Sequence, residues 1–212
     1  MTQLFDFTDS NKFLEFTKID VGPFSNTSLA SNKETQEKFS QRKIIIQQEE
    51  NLLKFKNICE KLFKMQYPYS IRPSYAVLPE TKNNNTAALY TPFQQNQSLK
   101  ALIQRLENGE IIENYDSTQR LIIIHGILLF INALHQDYQF HGRIKTSNIL
   151  LDSLLSPLVS DAFLYNINEN GVLNDSNSEM IDYIVSLPPE IMQNKDYTPK
   201  SDIYSFGILV LQ

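Results

Sequence analysis

The 212-residue sequence predicts an α+β fold, a small antiparallel sheet with one long helix followed by a mostly helical second half. Three observations carry this. Short strand-prone runs broken by turn residues fill the stretch from Phe13 to Ile46. One amphipathic helix follows at residues 48–66, and a dense apolar helix occupies the middle of the second half. A 42% hydrophobic composition is enough to bury a real core in one or two lobes.

Each element has its own signal. Residues 1–12 are polar with scattered phenylalanines, and the expectation is a loosely ordered segment or an edge extension. Gly22-Pro23 and Ser31-Asn32-Lys33 punctuate the first strands, and Lys38 to Ile46 ends in three isoleucines. In the helix at 48–66, Phe55, Ile58, Leu62 and Met65 recur at helical spacing behind an acidic first turn. Residues 71–78 and 87–91 read as strands around a loop with an Asn83-Asn84-Asn85 tip. Ser98 caps a short helix that Asn108-Gly109 ends. Asp116 or Ser117 starts a long helix reaching about His135, apolar enough to predict burial on most sides.

The chemistry gathers in His141–Asp152, HGRIKTSNILLD, where a polar loop runs directly into a short β-prone run. This stretch resembles the catalytic loop of the eukaryotic protein kinases, His-Arg-Asp-x-Lys-x-x-Asn followed by an apolar strand. His141, Lys145 and Asn148 match it. Arg143 stands where the family has the aspartate that accepts the substrate hydroxyl's proton. The segment PLVSDAFL (157–164) resembles the strand and Asp-Phe-Gly motif, with Asp161 at the metal-binding position and Ala162-Phe163 departing from Phe-Gly. Leu187-Pro188-Pro189-Glu190 resembles the Ala-Pro-Glu close of the activation loop, and SDIYSFGILVLQ the start of the helix centring the large lobe. The resemblance gives Asp202 a structural task there, bonding backbone groups of the catalytic loop.

Covering roughly residues 15–212 in the right order, the resemblance implies a bilobal fold. An N-terminal extension (1–12) precedes a small lobe (13–94) and a large lobe (95–212) that stops within its central helix. On that alignment the glycine-rich phosphate loop falls on Asp20–Ser25 and keeps none of its three glycines in place. Gly22 is offset by one and followed by Pro23, which has no N–H to give a phosphate, so an ordinary hairpin turn is the competing reading. Arg42 takes the place of the phosphate-holding lysine, open between phosphate contact and a solvated strand position. The helix glutamate that pairs with that lysine falls at Ile58. Glu60 lies ~200° around the helix and does not replace it. Thr91-Pro92-Phe93-Gln94 corresponds to the linker against which adenine lies, with Thr91 and Gln94 as candidate contacts. Tyr165–Leu187 corresponds to the activation loop, with Ser176, Ser178 and Tyr183 as phosphate acceptors or ordinary polar loop residues.

Other function classes are excluded or weakened by composition. A net charge of -5 argues against nucleic acid as a main partner. One cysteine, Cys59, allows no internal disulfide, and its apolar helical setting reads as a buried thiol. The N-terminus has no signal-peptide pattern, and the apolar run Leu121–Leu134 is short for a bilayer, so a cytoplasmic protein without membrane contact is expected. His125 and His135 lack the company a metal site needs.

Asn148 and Asp161 could hold one Mg²⁺, and Lys145 could meet a γ-phosphate, but Arg143 stays protonated and cannot act as a base. The expectation is a pseudokinase serving as a binding or regulatory module. Affinity for Mg-ATP should be weak or absent, and the partner an unidentified protein, another kinase among the candidates. A residual serine/threonine kinase and a truncated copy without function are the alternatives. On this reading the apolar helix Ile203–Leu211 is left partly bare, pointing to a partner that completes the lobe or to an incomplete gene product.

Overall fold

A computed structural model of the chain describes residues 6–21, 25–46, 48–79, 85–167, 184–193 and 195–212. Among these the chain divides into two compact units. One takes in the residues up to Lys64 together with Arg72–Phe93; the other holds Met65–Ile71, Gln94–Tyr165 and the C-terminal residues. Met65–Ile71 lies between elements of the first unit in sequence but groups with the second. The reason is backbone pairing, because Val159 N–H donates to the Tyr69 carbonyl and Ile71 N–H to the Val159 carbonyl.

The first unit is built on a six-stranded sheet. Its strands are β1 (Asp6–Phe7), β2 (Phe13–Val21), β3 (Ser25–Asn32), β4 (Lys38–Ile45), β5 (Tyr75–Val77) and β6 (Thr86–Pro92), in the order β1-β5-β6-β4-β3-β2. All neighbours are antiparallel except β1 and β5. The N-terminal residues thus form an edge strand.

β1 and β2 are consecutive in the chain yet occupy opposite edges. Six flat strands would separate those edges by about 24 Å. Six residue steps from Phe7 to Phe13 reach at most about 21 Å, less with the 3-10 turn at Ser10–Lys12. The sheet therefore has to coil. Its coiling brings Phe13 of β2 into a stack on Tyr90 of β6, ring centroids 3.8 Å apart, with Phe39 and Tyr75 edge-on around them. Gln41 enters this apolar interior because its amide donates to the Tyr90 hydroxyl at 2.7 Å.

Helix α1 (Glu49–Lys64) buries the expected stripe, Phe55, Ile58 and Leu62, with Met65 just beyond it. Cys59 is fully buried, and desolvation pushes its thiol up to about 12, so it is an inert core residue.

The second unit contains α2 (Leu99–Glu107), capped by Ser98, and α3 (Ser117–Gln136), whose first turn Asp116 caps through Gln119 N–H. The hairpin β7 (Ile149–Leu151) and β8 (Pro157–Val159) follows, then the short α4 (Pro189–Met192) and α5 (Pro199–Val210). α3 meets β8 closely at Gly126, where any Cβ would come within 2.6 Å of Pro157. At 20 residues α3 is as long as a bilayer span, and Ile123, Ile127, Phe130, Ile131 and Leu134 are buried within the unit.

One expectation needs correction here. α3 is not buried on most sides: Leu121, Ile122, Leu128 and Leu129 are exposed. Its buried positions, Ile123, Gly126, Ile127, Phe130, Ile131 and Leu134, recur at three- and four-residue spacing and make a single face. Ile203, Val210 and Leu211 at α5 are exposed as well.

Candidate functional site

The loop from His141 to Asn148 is held from three directions. Asp202, buried in the first turn of α5, accepts the N–H groups of His141 (2.7 Å) and Gly142 (2.8 Å) and meets His135 Nε2 at 3.0 Å. A buried carboxylate persists only when such donors surround it. α5 reaches this position through a capping box between Thr198 and Ser201, and Ser201 also donates to Glu190 at 2.7 Å. That bond, more than any other cause, holds the Glu190 carboxyl below its usual value.

His141 is completely buried, its ring edge-on to Phe130. Its Nδ1 accepts the Arg143 N–H at 3.0 Å, and its Nε2 lies 2.8 Å from the Ser160 carbonyl. Those partners define the neutral tautomer with the proton on Nε2. Burial lowers the pKa, only partly opposed by Asp202, the Ser160 carbonyl and Asp161, and Arg143 lowers it further. The imidazole is thus a brace between the loop and the segment after β8, and both its nitrogens are engaged.

The Arg143 backbone is pinned at both ends, since its carbonyl also accepts from Asn148 Nδ2 at 2.9 Å. Its half-buried side chain keeps a charge at every physiological pH. Lys145 is also half-buried, in extended backbone just before the 3-10 turn Thr146–Asn148. Asn148 is fully buried, and its bond to Arg143 turns Oδ1, the atom able to ligate a cation, away from that carbonyl.

Ser160 completes the cluster, though sequence reasoning missed it. Its N–H donates to the Asn148 carbonyl at 2.9 Å, and its hydroxyl is 3.1 Å from both that carbonyl and Asp161 Oδ2. One side chain therefore ties the Asn148 loop to Asp161. Nothing in the serine's spacing singles it out; only burial between two polar neighbours does.

Asp161 sits at φ +64, a conformation aspartate tolerates better than most residues. Phe163 sits at φ +69, where the resembling motif has glycine, and a bulky residue there carries about 1–2 kcal/mol of backbone strain. Burial of its ring and the bond from its N–H to the His141 carbonyl keep it in place.

Gly142 also went unnoticed in the sequence. Its φ is +77, and a Cβ would lie 2.2 Å from the Tyr165 ring, which packs across it and against Phe140 and Tyr197. The signal available was the glycine itself, in a loop whose N–H groups must both face one carboxylate.

In the first unit, Arg42 lies on β4 opposite Thr27 and Leu89, half-buried. Lys43 points to the other face of the strand and pairs with Glu15 of β2, whose carboxyl that bond holds low. Ile58 is buried in α1, with no carboxylate at its position. Thr91, in β6, pairs with Ser40 of β4, and the Gln94 carbonyl accepts the Gln97 N–H at the start of the second unit. Gly22, the Asn83-Asn84 tip, Ser176, Ser178 and Tyr183 lie outside the described residues.

A bound Mg-nucleotide is matched in part. Asn148 and Asp161 offer two oxygen ligands for a divalent cation, and among the described residues no group of three or more His, Cys, Asp or Glu adds to them. The remaining positions do not match. Arg42 and Arg143 stand where the resemblance puts the phosphate-holding lysine and the proton acceptor, and Ile58 where it puts the pairing carboxylate.

Comparison with known proteins agrees with the architecture. The protein kinase domain model matches residues 13–212. The chain is 28% identical over 218 residues to a putative cysteine-rich receptor-like protein kinase 30 of Arabidopsis thaliana, covering 94% of this chain and 30% of that protein. It is 35% identical over 136 residues to cysteine-rich receptor-like protein kinase 10 of Oryza sativa subsp. japonica, covering 60% of this chain and 20% of that protein. With cysteine-rich receptor-like protein kinase 10 of Arabidopsis thaliana it shares 28% over 213 residues, 98% of this chain and 29% of the relative. The chain thus spans less than a third of the length of these relatives.

Proposed function

Because the chain belongs to the protein kinase family, we propose that it is a catalytically impaired member, a pseudokinase that acts by binding and not by transferring phosphate. The observation that carries this is Arg143 at the proton-accepting position, its backbone anchored through His141 and Asn148. A guanidinium cannot take a proton from an alcohol, and loss of a general base costs about 10²–10⁴-fold in rate. Ile58 and the substituted glycine loop weaken nucleotide binding independently. On this reading Mg-ATP binds weakly or not at all, and the biological ligand is a protein partner in the cytoplasm, with another kinase as one candidate.

Titrating the full chain with Mg-ATP by thermal shift and calorimetry, beside a transfer assay on generic protein substrates, tests the proposal. The expected result is little or no saturable shift and no phosphate incorporation. Clear turnover by the wild-type chain would end it.

Retention of Lys145, Asn148, Asp161 and the Asp202 bonds favours a second reading, a residual serine/threonine kinase that uses an unusual base. The Arg143→Asp variant separates the two. Under the pseudokinase reading it stays at background; under the second it gains about 10²–10⁴-fold, and Asp161→Ala abolishes the gain.

A further inference from the structure

The outer edge of the first unit's sheet carries the shortest strand in it. β1 contributes two residues, Asp6 opposite Tyr75 and Phe7 opposite Ala76, and Thr8 N–H adds a bond to the Ala76 carbonyl at 2.9 Å. The anchor is Phe7, whose ring meets Phe63 of α1 edge-on at 6.4 Å. Phe63 is 2% exposed, whereas Phe7 is still 44% exposed. The fit is also flawed, because the Thr8 hydroxyl is buried with no hydrogen-bond partner. A two-residue strand with an exposed anchor and an orphaned hydroxyl is held weakly. Under it lies the backbone edge of β5, beside the buried Phe63 ring of α1.

We propose that the β5 edge and the adjoining Phe63 ring form a strand-accepting docking site. The chain's own Asp6–Thr8 fills it until an extended, aromatic-bearing segment of a partner protein takes over. The resident segment defines the ligand's chemistry. The partner contributes a backbone able to pair with Tyr75–Val77, an aromatic ring in place of Phe7, and an apolar β-branched residue in place of Thr8, which removes the orphaned hydroxyl. Exchange acts on α1 through Phe63, four residues after Cys59 and on the helix that carries Ile58. The site stands whether or not the chain transfers phosphate, so failure of the binding test and appearance of turnover are separate results.

The test uses a fluorescently labelled peptide of residues 1–12 carrying Thr8→Val, titrated into the full chain and followed by anisotropy. The Phe7→Ala chain, its own anchor removed, should bind the peptide about tenfold or more tightly than the wild-type chain does. A peptide that also carries Phe7→Ala should not bind. Thr8→Pro in the chain removes the N–H bonded to Ala76 while leaving the ring, and should open the site in the same direction, which guards against a misfolded Phe7→Ala chain. Equal binding to all chains, or none to either variant, overturns the proposal. Light scattering supplies the remaining outcome: a wild-type dimer that Phe7→Ala dissolves would assign the edge to a second copy and overturn the partner assignment.

Discussion

Replacing Gly142 with alanine probes how tightly the candidate site is built. Two costs are separable. The backbone is at φ +77, where a Cβ costs about 1–2 kcal/mol. The same Cβ would stand 2.2 Å from Tyr165 Cδ1 and 2.6 Å from its Cγ, an overlap that forces the ring or the loop to move at about 1–3 kcal/mol. The single substitution should thus destabilise the chain by about 2–5 kcal/mol, lowering Tm by about 4–20 °C for a chain of this size. In a Tyr165→Ala background only the backbone share remains, about 1–2 kcal/mol, so a double-mutant cycle followed by chemical denaturation should show about 1–3 kcal/mol of coupling. Coupling near zero would mean that Tyr165 does not pack over Gly142, and the account of this loop would fail. Asp202 sharpens the measurement, because it accepts the Gly142 N–H and limits how far the backbone can escape.

Two further outcomes follow from the buried groups. Asp202→Asn replaces one acceptor oxygen with an amide donor facing the loop, and should cost about 3 kcal/mol in denaturant unfolding; an effect below about 0.5 kcal/mol would show that the carboxylate does not hold the loop. His141, lowered by burial, stays neutral in the folded chain while the unfolded chain takes up a proton near 6.5. Its contribution is therefore fully present above that value and is lost as pH falls below it, by up to about 1.4 kcal/mol per pH unit until the folded-state value is reached. His141→Phe should flatten that slope in stability measured against pH, and an unchanged slope would assign it to other groups.

Much of the fold was legible because hydrophobic period and caps are local. The α1 stripe and the Ser98 and Asp116 caps each need only a few neighbouring residues, and the structure places them accordingly. The opposite facing of Lys43 and Arg42 follows from strand alternation in the same way. The burial of α3 was misread, because apolar density states what a helix could bury and not which elements are there to cover it. In the site, His141, Asn148, Asp161 and Asp202 were visible as residue types at fixed spacing. Ser160, Gly142 and the task of His135 were not, since each is defined by a partner between 12 and 67 residues away.

The order of residues alone identified the family, the α+β division and the presence of Arg143 in the His141–Asn148 loop, since residue identity at a motif position requires no coordinates. Only tertiary structure decided that Asp202 gathers two backbone N–H groups and His135, that His141 is a neutral brace, and that the N-terminal residues close the β5 edge. Those outcomes depend on which distant groups share one small desolvated volume. There the surrounding donors, and not the sequence neighbours, set charge state and conformation.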